Sequence, residues 1–468
     1  MLKIGVSELI SILPSAELIF GSSDCIISSI CTDTRFLKEG DFFIPLKGER
    51  FDGHKFIEDA VKKGASGFFT EHWNEQMEAK IKAICLPSDF VIIKVQDSLK
   101  ALQLTASLVR KKLNCQVIGI TGSTGKTITK DMIGSILKKK FSTVYSEKNY
   151  NNEIGVPLTI IKADSNTDVL ILELGMRGKG QIAELCEIAL PTIGLITNIG
   201  KAHFELLRSE EAIARTKAEL VKSIPSNGVV VLNCDDGWTS ILEKMTSAKI
   251  IKYGLSRKAD IRAEGISVDA SGCPSFKIIY ENNSAFLKLS FPGRHNIYNA
   301  LAAASVAIVM GLSLEDIKDG LEKCEITEMR MQVFKNSKGV TIINDAYNAN
   351  PDSMRASLES LKEIECKERR VAILGDMAEL GEISLSSHKD VGALVKKKGV
   401  DLLFTVGEKA KQIARGAIEI GMDAKNVFIC NNLKDAELKV KKVIKSGDVV
   451  LVKGSRIMEL EKLIHSIS

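Results

Sequence analysis

The 468-residue sequence has ten cysteines but no C-x-x-C pair. That absence argues against a zinc ribbon or a thioredoxin-type redox site, and scattered thiols in so long a chain are reduced and buried by default. No stretch approaches the roughly 18 uninterrupted apolar residues of a membrane span. The first residues, MLKIGVSELISILPSAELIF, mix acids with apolar residues at helical spacing. They lack the basic start, long apolar run and cleavage site of a signal peptide. Charge of one sign is lacking too: 64 basic residues face 59 acidic ones, a net +5. So even a balance argues against a nucleic-acid coat or a polybasic membrane anchor, although a local basic pocket is compatible with it. There is no short repeat and no low-complexity tract. The expectation is a cytoplasmic protein with no nucleic-acid partner and no membrane span.

What is present is ordinary for a globular protein, with 45% hydrophobic and 26% charged residues. The length suggests three domains at about 150 residues each. Residues 1–112 carry short strand-like runs and turn signals, which predicts a small mixed α/β domain. In residues 113–326, apolar runs at Val117–Ile120, Val169–Leu172, Ile193–Thr197 and Val229–Leu232 alternate with helical patterns. Such runs fit buried parallel strands in a doubly wound sheet. Residues 327–468 repeat the alternation, with strands expected at Val340–Asn344, Val371–Leu374, Leu402–Val406, Val427–Ile429 and Val449–Val452. This segment is expected to be a smaller Rossmann-like domain. The fold class is therefore α/β, with a P-loop-type parallel-sheet domain at its centre.

The stretch VIGITGSTGKTITKDM looks like a phosphate loop with one glycine missing. The usual G-x-x-x-x-G-K-[ST] pattern requires a glycine where this chain has Ile120. The choices are a broken nucleotide site, a chance match, or a phosphate loop of another form. The setting favours nucleotide binding, because an apolar strand precedes the loop and a helical pattern follows it. Gly122 and Gly125, with Ser123 and Thr124 between them, let backbone amides approach a phosphate. Lys126 can reach the β- and γ-phosphates, Thr127 can place its hydroxyl on magnesium, and the helix N-terminus adds a favourable dipole.

Other residues are open to two readings each. Glu173 ends an apolar strand, so its carboxylate either points into a ligand crevice or is a solvated strand end. His203, in TNIGKAHFELL, suits a metal or a structural role. Lys217, in SEEAIARTKAEL, reads from composition as part of a solvated helix face. SEKNYNNEIGVPLT offers Asn149, Asn151 and Asn152, either as a plain loop or as donors to an oxygen-rich substrate.

TGSTGKTITK, NYNNEIGVPLT, LELGMRGKGQIAEL, TNIGKAHFE and ARTKAEL together resemble the central domain of the Mur ligases, the ATP-dependent amide-forming enzymes of peptidoglycan synthesis. Their phosphate loop has the shorter T-G-x-x-G-K-T form, so Ile120 is no lesion. GRHNIYNALAAASVA resembles the family's adenine-side segment, and AILGDMAELG and VLVKGSRIMELE resemble its C-terminal domain. DTRFLKEGDFFIPLKGERFDGHKFI looks like its uridine-nucleotide domain. DAYNANPDSM and ILGDMAELGE point to the member that adds D-alanyl-D-alanine. The D-N-P-R of the diaminopimelate- or lysine-adding member is missing. Rival readings are a sister ligase, a folate-type glutamate ligase, or a P-loop switch that makes no amide bond. The lack of N-K-x-D argues against GTP.

The resemblance implies ATP and magnesium as cofactors, and UDP-N-acetylmuramoyl tripeptide and D-alanyl-D-alanine as partners in forming a pentapeptide product. It implies catalytic roles for Lys126, Glu173, His203 and Lys217. It places Thr127 and Glu173 on one magnesium, and His203 and Glu173, helped by an N6-carboxylated Lys217, on a second. Gly122, Ser123, Thr124, Gly125, Lys126, Thr127, Asn296, Asn299, Arg330 and Asp345 would hold ATP, the last two when a mobile third domain closes. Asp33, Thr34, Arg35, Lys47 and Gly48 are the uridine-side candidates, with Arg35 also readable as a surface charge. Asn151, Asn152, Tyr347 and Asn348 are further substrate-side candidates. A monomer is the family's usual form.

Overall fold

A computed structural model describes residues 2–48, 51–84, 86–147, 149–202 and 204–467. The chain divides into two units. One comprises Met1–Gly119, Phe141–Gly175 and Ala183–Pro191; the other comprises Ile120–Lys140, Met176–Ile182 and Thr192–Ser468.

In the first unit a five-stranded sheet runs in the order Glu17–Phe20, Val91–Lys94, Gly67–Thr70, Phe42–Phe43, Ile30–Cys31. Only its first edge pair is antiparallel. Phe43, Phe68, Phe90, Ile57 and Ile92 form a buried cluster beneath it. The helix Ser98–Lys112 begins where Asp97 accepts the Lys100 N–H at 2.9 Å, and its last turn carries Arg110, Lys111 and Lys112. Both ends thus match the polarity of the helix dipole. The strand Val169–Glu173 pairs in parallel with Thr143–Tyr145 and is buried along its whole length. That is why it reads as an uninterrupted apolar run ending in an acid.

In the second unit Ile193–Ile196, Val229–Asn233, Lys249–Gly254 and Ile261–Val268 form a parallel ladder. Pro274–Tyr280 and Asn283–Lys288 then extend it antiparallel. The parallel-sheet expectation stands for the first four strands, and the antiparallel pair is an addition to it. In Asn283–Lys288 only Ala285 and Leu287 are buried, the alternation of a sheet with one wet face. The other sheet of this unit runs Gln332–Lys335, Thr341–Asn344, Val449–Lys453, Arg370–Gly375, Leu402–Val406, Val427–Cys430, with only its first edge antiparallel. Apolar clusters cover both of its faces. The Rossmann-like expectation for the C-terminal segment therefore stands. The helix Lys411–Glu419 and the edge strand Gln332–Lys335 were not anticipated.

Strand order is broken at Val449–Lys453, the last strand in the chain, which lies between Thr341–Asn344 and Arg370–Gly375 and runs parallel to both. In open α/β sheets such a switch point lies at the carboxyl ends of the strands and is where ligands bind. Here those ends lead into Asp345–Asn348, Gly454–Arg456 and Asp376–Glu379.

Candidate active site

The strand Gln116–Thr121 turns at Gly122 and Gly125 into the helix Lys126–Leu137. Both glycines have positive φ, +149° and +80°. A Cβ on Gly122 would lie 1.8 Å from Thr197 Oγ1, and one on Gly125 would lie 2.4 Å from Asn299 Oδ1. Neither position accepts a side chain, so loop backbone can approach a ligand closely. Lys126 Nζ donates to the Gly122 carbonyl at 2.7 Å, which folds the lysine back over the loop. The Thr127 side chain sits in the first helical turn and is buried.

A second layer fixes this loop. Asn198 Oδ1 accepts from the Thr124 N–H at 3.0 Å and from Thr124 Oγ1 at 3.1 Å, while its Nδ2 donates to the Thr124 carbonyl at 3.1 Å. Thr197 Oγ1 donates to the same carbonyl at 2.6 Å, and Tyr253 Oη donates to the Thr197 carbonyl at 2.9 Å. Asn198 stands at the carboxyl end of a parallel strand, the rule that singled out Glu173, yet sequence reasoning passed over it. Asn299 and Asn296 belong to the buried face of the helix Asn296–Val309. Asn299 Nδ2 donates to Asn296 Oδ1 at 2.9 Å, Asn296 Nδ2 donates to the Pro292 carbonyl at 2.7 Å, and Thr129 Oγ1 donates to Asn299 Oδ1 at 3.3 Å. Asn299 thus walls the loop at Gly125 and ties to the helix that follows it, and Asn296 holds Asn299 in place.

Lys217 lies inside the protein, only 1% exposed, which corrects the solvated-face reading. It shares the buried side of the helix Glu210–Ser223 with Ile213, Ala214, Leu220 and Val221. Burial pushes its amine well below the ordinary lysine range, and the positive charge of Lys126 pushes the same way. No carboxylate pairs with it among the described residues. Disfavouring the protonated form in this way favours the amine form, which is the nucleophile toward carbon dioxide. His203 lies outside the described residues.

Arg330 lies between Met329 and Met331, both with positive φ, +60° and +50°. Its guanidinium stacks 4.1 Å from the centre of the Tyr347 ring. Asp345 is buried and bonded three ways: to Lys453 Nζ, to the Met331 N–H at 3.1 Å and to Ser357 Oγ at 2.6 Å. Lys453 also donates to the Asn348 carbonyl at 3.1 Å. Lys453 had no assigned role from sequence, although a lysine closing the apolar run VVLVK carries the strand-end signal.

In the first unit, Glu173 is buried, with Oε1 accepting from Asn151 Nδ2 at 2.8 Å. Asn152 Oδ1 accepts from the Gly155 N–H at 2.9 Å and starts the helix Gly155–Ile161. Arg35 is highly exposed and pairs with Asp33 at 2.6 Å, holding that carboxyl below its usual range. Thr34 is buried and its carbonyl accepts from Lys63 Nζ at 3.0 Å. Lys47 pairs with Glu71 at 2.5 Å, and the ring of Phe51 covers Gly48. Phe36 and Phe51 are exposed beside these residues, flat apolar surfaces of the kind a base can stack on.

Three family models match the chain: the "Mur ligase family, catalytic domain" at residues 26–118, the "Mur ligase middle domain" at 120–307, and the "Mur ligase, glutamate ligase domain" at 329–456. The chain is similar to the UDP-N-acetylmuramoyl-tripeptide–D-alanyl-D-alanine ligase of Bacillus subtilis (strain 168), with 36% identity over 94% of this chain and 93% of that one. Its counterpart in Escherichia coli (strain K12) is 33% identical over 100% of this chain and 99% of its own. Among solved structures, MurF from Acinetobacter baumannii matches with a TM-score of 0.83 at 30% identity, covering 94% of this chain and 93% of that one. MurF ligase from Thermotoga maritima, solved in complex with ADP, matches with a TM-score of 0.79 at 26% identity, covering 94% and 97%.

Proposed function

The chain belongs to the Mur ligase family, and on that premise we propose that it joins D-alanyl-D-alanine to UDP-N-acetylmuramoyl tripeptide at the expense of ATP. The carrying observation is end-to-end similarity, 33% to 36%, to relatives named for that ligation. The reaction runs through an acyl phosphate. A carboxylate oxygen of the tripeptide attacks the γ-phosphorus of ATP, and ADP leaves. The dipeptide's free amine then attacks the acyl carbon, phosphate leaves, and the amide bond is complete.

The physical difficulty is bringing an anionic carboxylate to an anionic triphosphate. The dipole of the helix Lys126–Leu137 and the Lys126 ammonium answer it with fixed positive charge. Lys126 would exchange the Gly122 carbonyl for phosphate oxygens, and Ser123 and Thr124 would turn to the phosphates the N–H groups that here donate to Asn198. Asn296 and Asn299 would act on the nucleotide by holding this loop. Arg330 and Asp345 are proposed to meet ATP from the C-terminal segment, where Tyr347 would fix the plane of the Arg330 guanidinium.

Magnesium is proposed on the resemblance, with Thr127 and Glu173 as ligands: each by itself is a buried side chain with the oxygen donor a hard cation takes. Bound there, the ion would neutralise charge on the phosphates. His203 is kept as a proposed ligand on the resemblance alone. Lys217 is proposed to be N6-carboxylated, which would convert a buried neutral amine into an anionic oxygen donor. Asp33, Thr34, Arg35, Lys47 and Gly48 are proposed on the uridine side, with Asn151 and Asn152 toward the peptide and Tyr347 and Asn348 toward the amine. A monomer working in the cytoplasm, where ATP is supplied, completes the proposal. Among the described residues no helix is long and apolar enough to cross a membrane.

The test is phosphate release from ATP and magnesium with the UDP-linked tripeptide, with and without D-alanyl-D-alanine, the product being followed by mass spectrometry. Release that needs the dipeptide, with a pentapeptide product, is the expected result. Release without either cosubstrate would move the chain to an ATPase switch, and release driven by another amine would move it to a sister ligase.

A further inference from the structure

The motif DAYNANPDSM holds one acid that the proposed mechanism does not use. Asp352 is the second residue of the helix Pro351–Glu363, which follows the strand Thr341–Asn344. An acid in the first turn of a helix ordinarily answers only to the helix dipole. Asp352 does more. Its Oδ2 accepts from the Lys201 backbone N–H at 3.1 Å, and a Cβ on Gly200 would lie 2.2 Å from that same oxygen.

Gly200 is in turn locked to the phosphate loop. Its N–H donates to Ser123 Oγ at 2.8 Å, and Ser123 Oγ donates to its carbonyl at 3.0 Å. Asn350, the cap of the same helix, extends Nδ2 to 3.5 Å from the Ser123 carbonyl while its Oδ1 takes the Ser353 N–H at 2.8 Å. The start of this helix therefore reaches Ser123 along two routes, directly through Asn350 and through Lys201 and Gly200 from Asp352. A second touch lies a few residues on, where the Glu205 N–H donates to the Glu379 carbonyl at 3.1 Å.

We infer that Asp352 is a positioning residue for the phosphate loop: its carboxylate pins the Gly200–Lys201 backbone, and that backbone sets the place of Ser123 between Gly122 and Gly125. The inference rests on the reading of this loop as the ATP site. It does not depend on which amine is consumed. In the docked arrangement the C-terminal segment thus reaches the triphosphate's cradle before any of its own side chains touches nucleotide. Asp352 also explains why position 200 is glycine, since any side chain there would displace the carboxylate.

The two roles open to Asp352 separate by substitution. Asp352→Asn removes the charge that favours the helix dipole but keeps an oxygen able to accept from Lys201. Asp352→Ala removes both. Ser353→Ala weakens the capping of the same helix without touching Lys201. The experiment titrates ATP with magnesium into the full-length chain by calorimetry and measures KM for ATP, KM for the UDP-linked tripeptide and kcat for each variant.

Positioning predicts about tenfold weaker ATP binding for Asp352→Ala, the usual effect of losing one charge-assisted hydrogen bond, with KM for the UDP substrate unmoved. Asp352→Asn should recover most of that loss, and Ser353→Ala should bind ATP like the parent. Gly200→Ala should harm ATP binding less in the Asp352→Ala background than alone. Equal losses for Asp352→Asn and Asp352→Ala would assign the residue to the helix dipole and overturn the inference. So would a parent-like Asp352→Ala, or a loss shared by Ser353→Ala. A parent enzyme that turns over without dipeptide dependence would refute the ligase reading, while the ATP titration would still decide the role of Asp352.

Discussion

Gly125→Ala tests the geometry of the phosphate loop without touching a charged group. The residue sits at φ +80°, and an alanine in the left-handed region costs about 1–2 kcal/mol. Its methyl would also stand 2.4 Å from Asn299 Oδ1. That amide is 6% exposed and held by Asn296 and Thr129, so it moves only by giving up hydrogen bonds worth about 1 kcal/mol each. The single substitution should therefore cost about 3 kcal/mol. Asn299→Ala alone loses the same bonds and leaves Asn296 without its donor, at about 2 kcal/mol. In the double variant the backbone strain and the lost bonds remain but the collision is gone. The expected cost is about 3.5 kcal/mol, against a sum of about 5, a coupling of about 1.5 kcal/mol. Urea midpoints of the transition that ATP protects would measure the cycle. Additivity within about 0.5 kcal/mol would show that Asn299 is not the wall that makes position 125 a glycine.

Lys217→Ala should abolish most turnover, with partial return on adding acetate or formate as a stand-in for the carboxylated amine; failure of every short carboxylate to restore activity would remove N6-carboxylation from the proposal. Acid should weaken the fold below neutrality. His388 accepts the Met377 N–H at Nε2 and donates from Nδ1 to the Ser384 carbonyl, an arrangement that requires the neutral ring, and burial lowers its pKa. His295 is pushed down to about 4, also by burial. The unfolded chain takes up these protons near pH 6.5 while the folded chain resists them, so stability is complete above that pH and falls below it; His295 contributes a loss of about 1.4 kcal/mol per pH unit as pH falls toward 4, and His388 acts in the same direction. A urea midpoint that stays flat between pH 6.5 and 5, where carboxylates are still ionised, would refute this. Lys453→Met leaves the Asp345 carboxylate buried without its cation, and should cost about 3–5 kcal/mol. Asp345→Asn in the same chain should return part of it, as read by thermal unfolding.

The parts of this site that could be read from sequence are those whose signal is local. TGSTGKT marks a strand, a turn and a helix N-terminus within a dozen residues, and Gly122 and Gly125, singled out there for close backbone approach, both have positive φ. Glu173 could be read because a carboxylate closing a buried parallel strand has few bland explanations. Where the reading failed, the deciding fact lay across space. Lys217 sits among charged neighbours in sequence, Arg215 and Glu219, yet it faces inward while they do not; a short amphipathic helix does not announce that its buried stripe includes a lysine. The antiparallel extension Pro274–Tyr280 and Asn283–Lys288 alternates between buried and exposed positions, a period of two that continuous apolar runs do not reveal.

Asn198, Asn296 and Asn299 are alike in sequence, polar residues near a nucleotide motif. In the folded protein each spends its amide on other protein groups, two of them directly on the loop or on the residue that walls it. A buried amide must be satisfied, and these bonds hold the three side chains in place around the loop. Proximity of a polar residue to a motif is thus weak evidence of ligand contact and stronger evidence of support. Two other residues keep their place in the proposal for a different reason: Lys217 is buried with no carboxylate beside it among the described residues, and Arg330 lies between two methionines of positive φ with Nε buried and without a hydrogen-bond partner. Strain and unmet bonding capacity are costs that a protein without a ligand for that site would have no reason to keep.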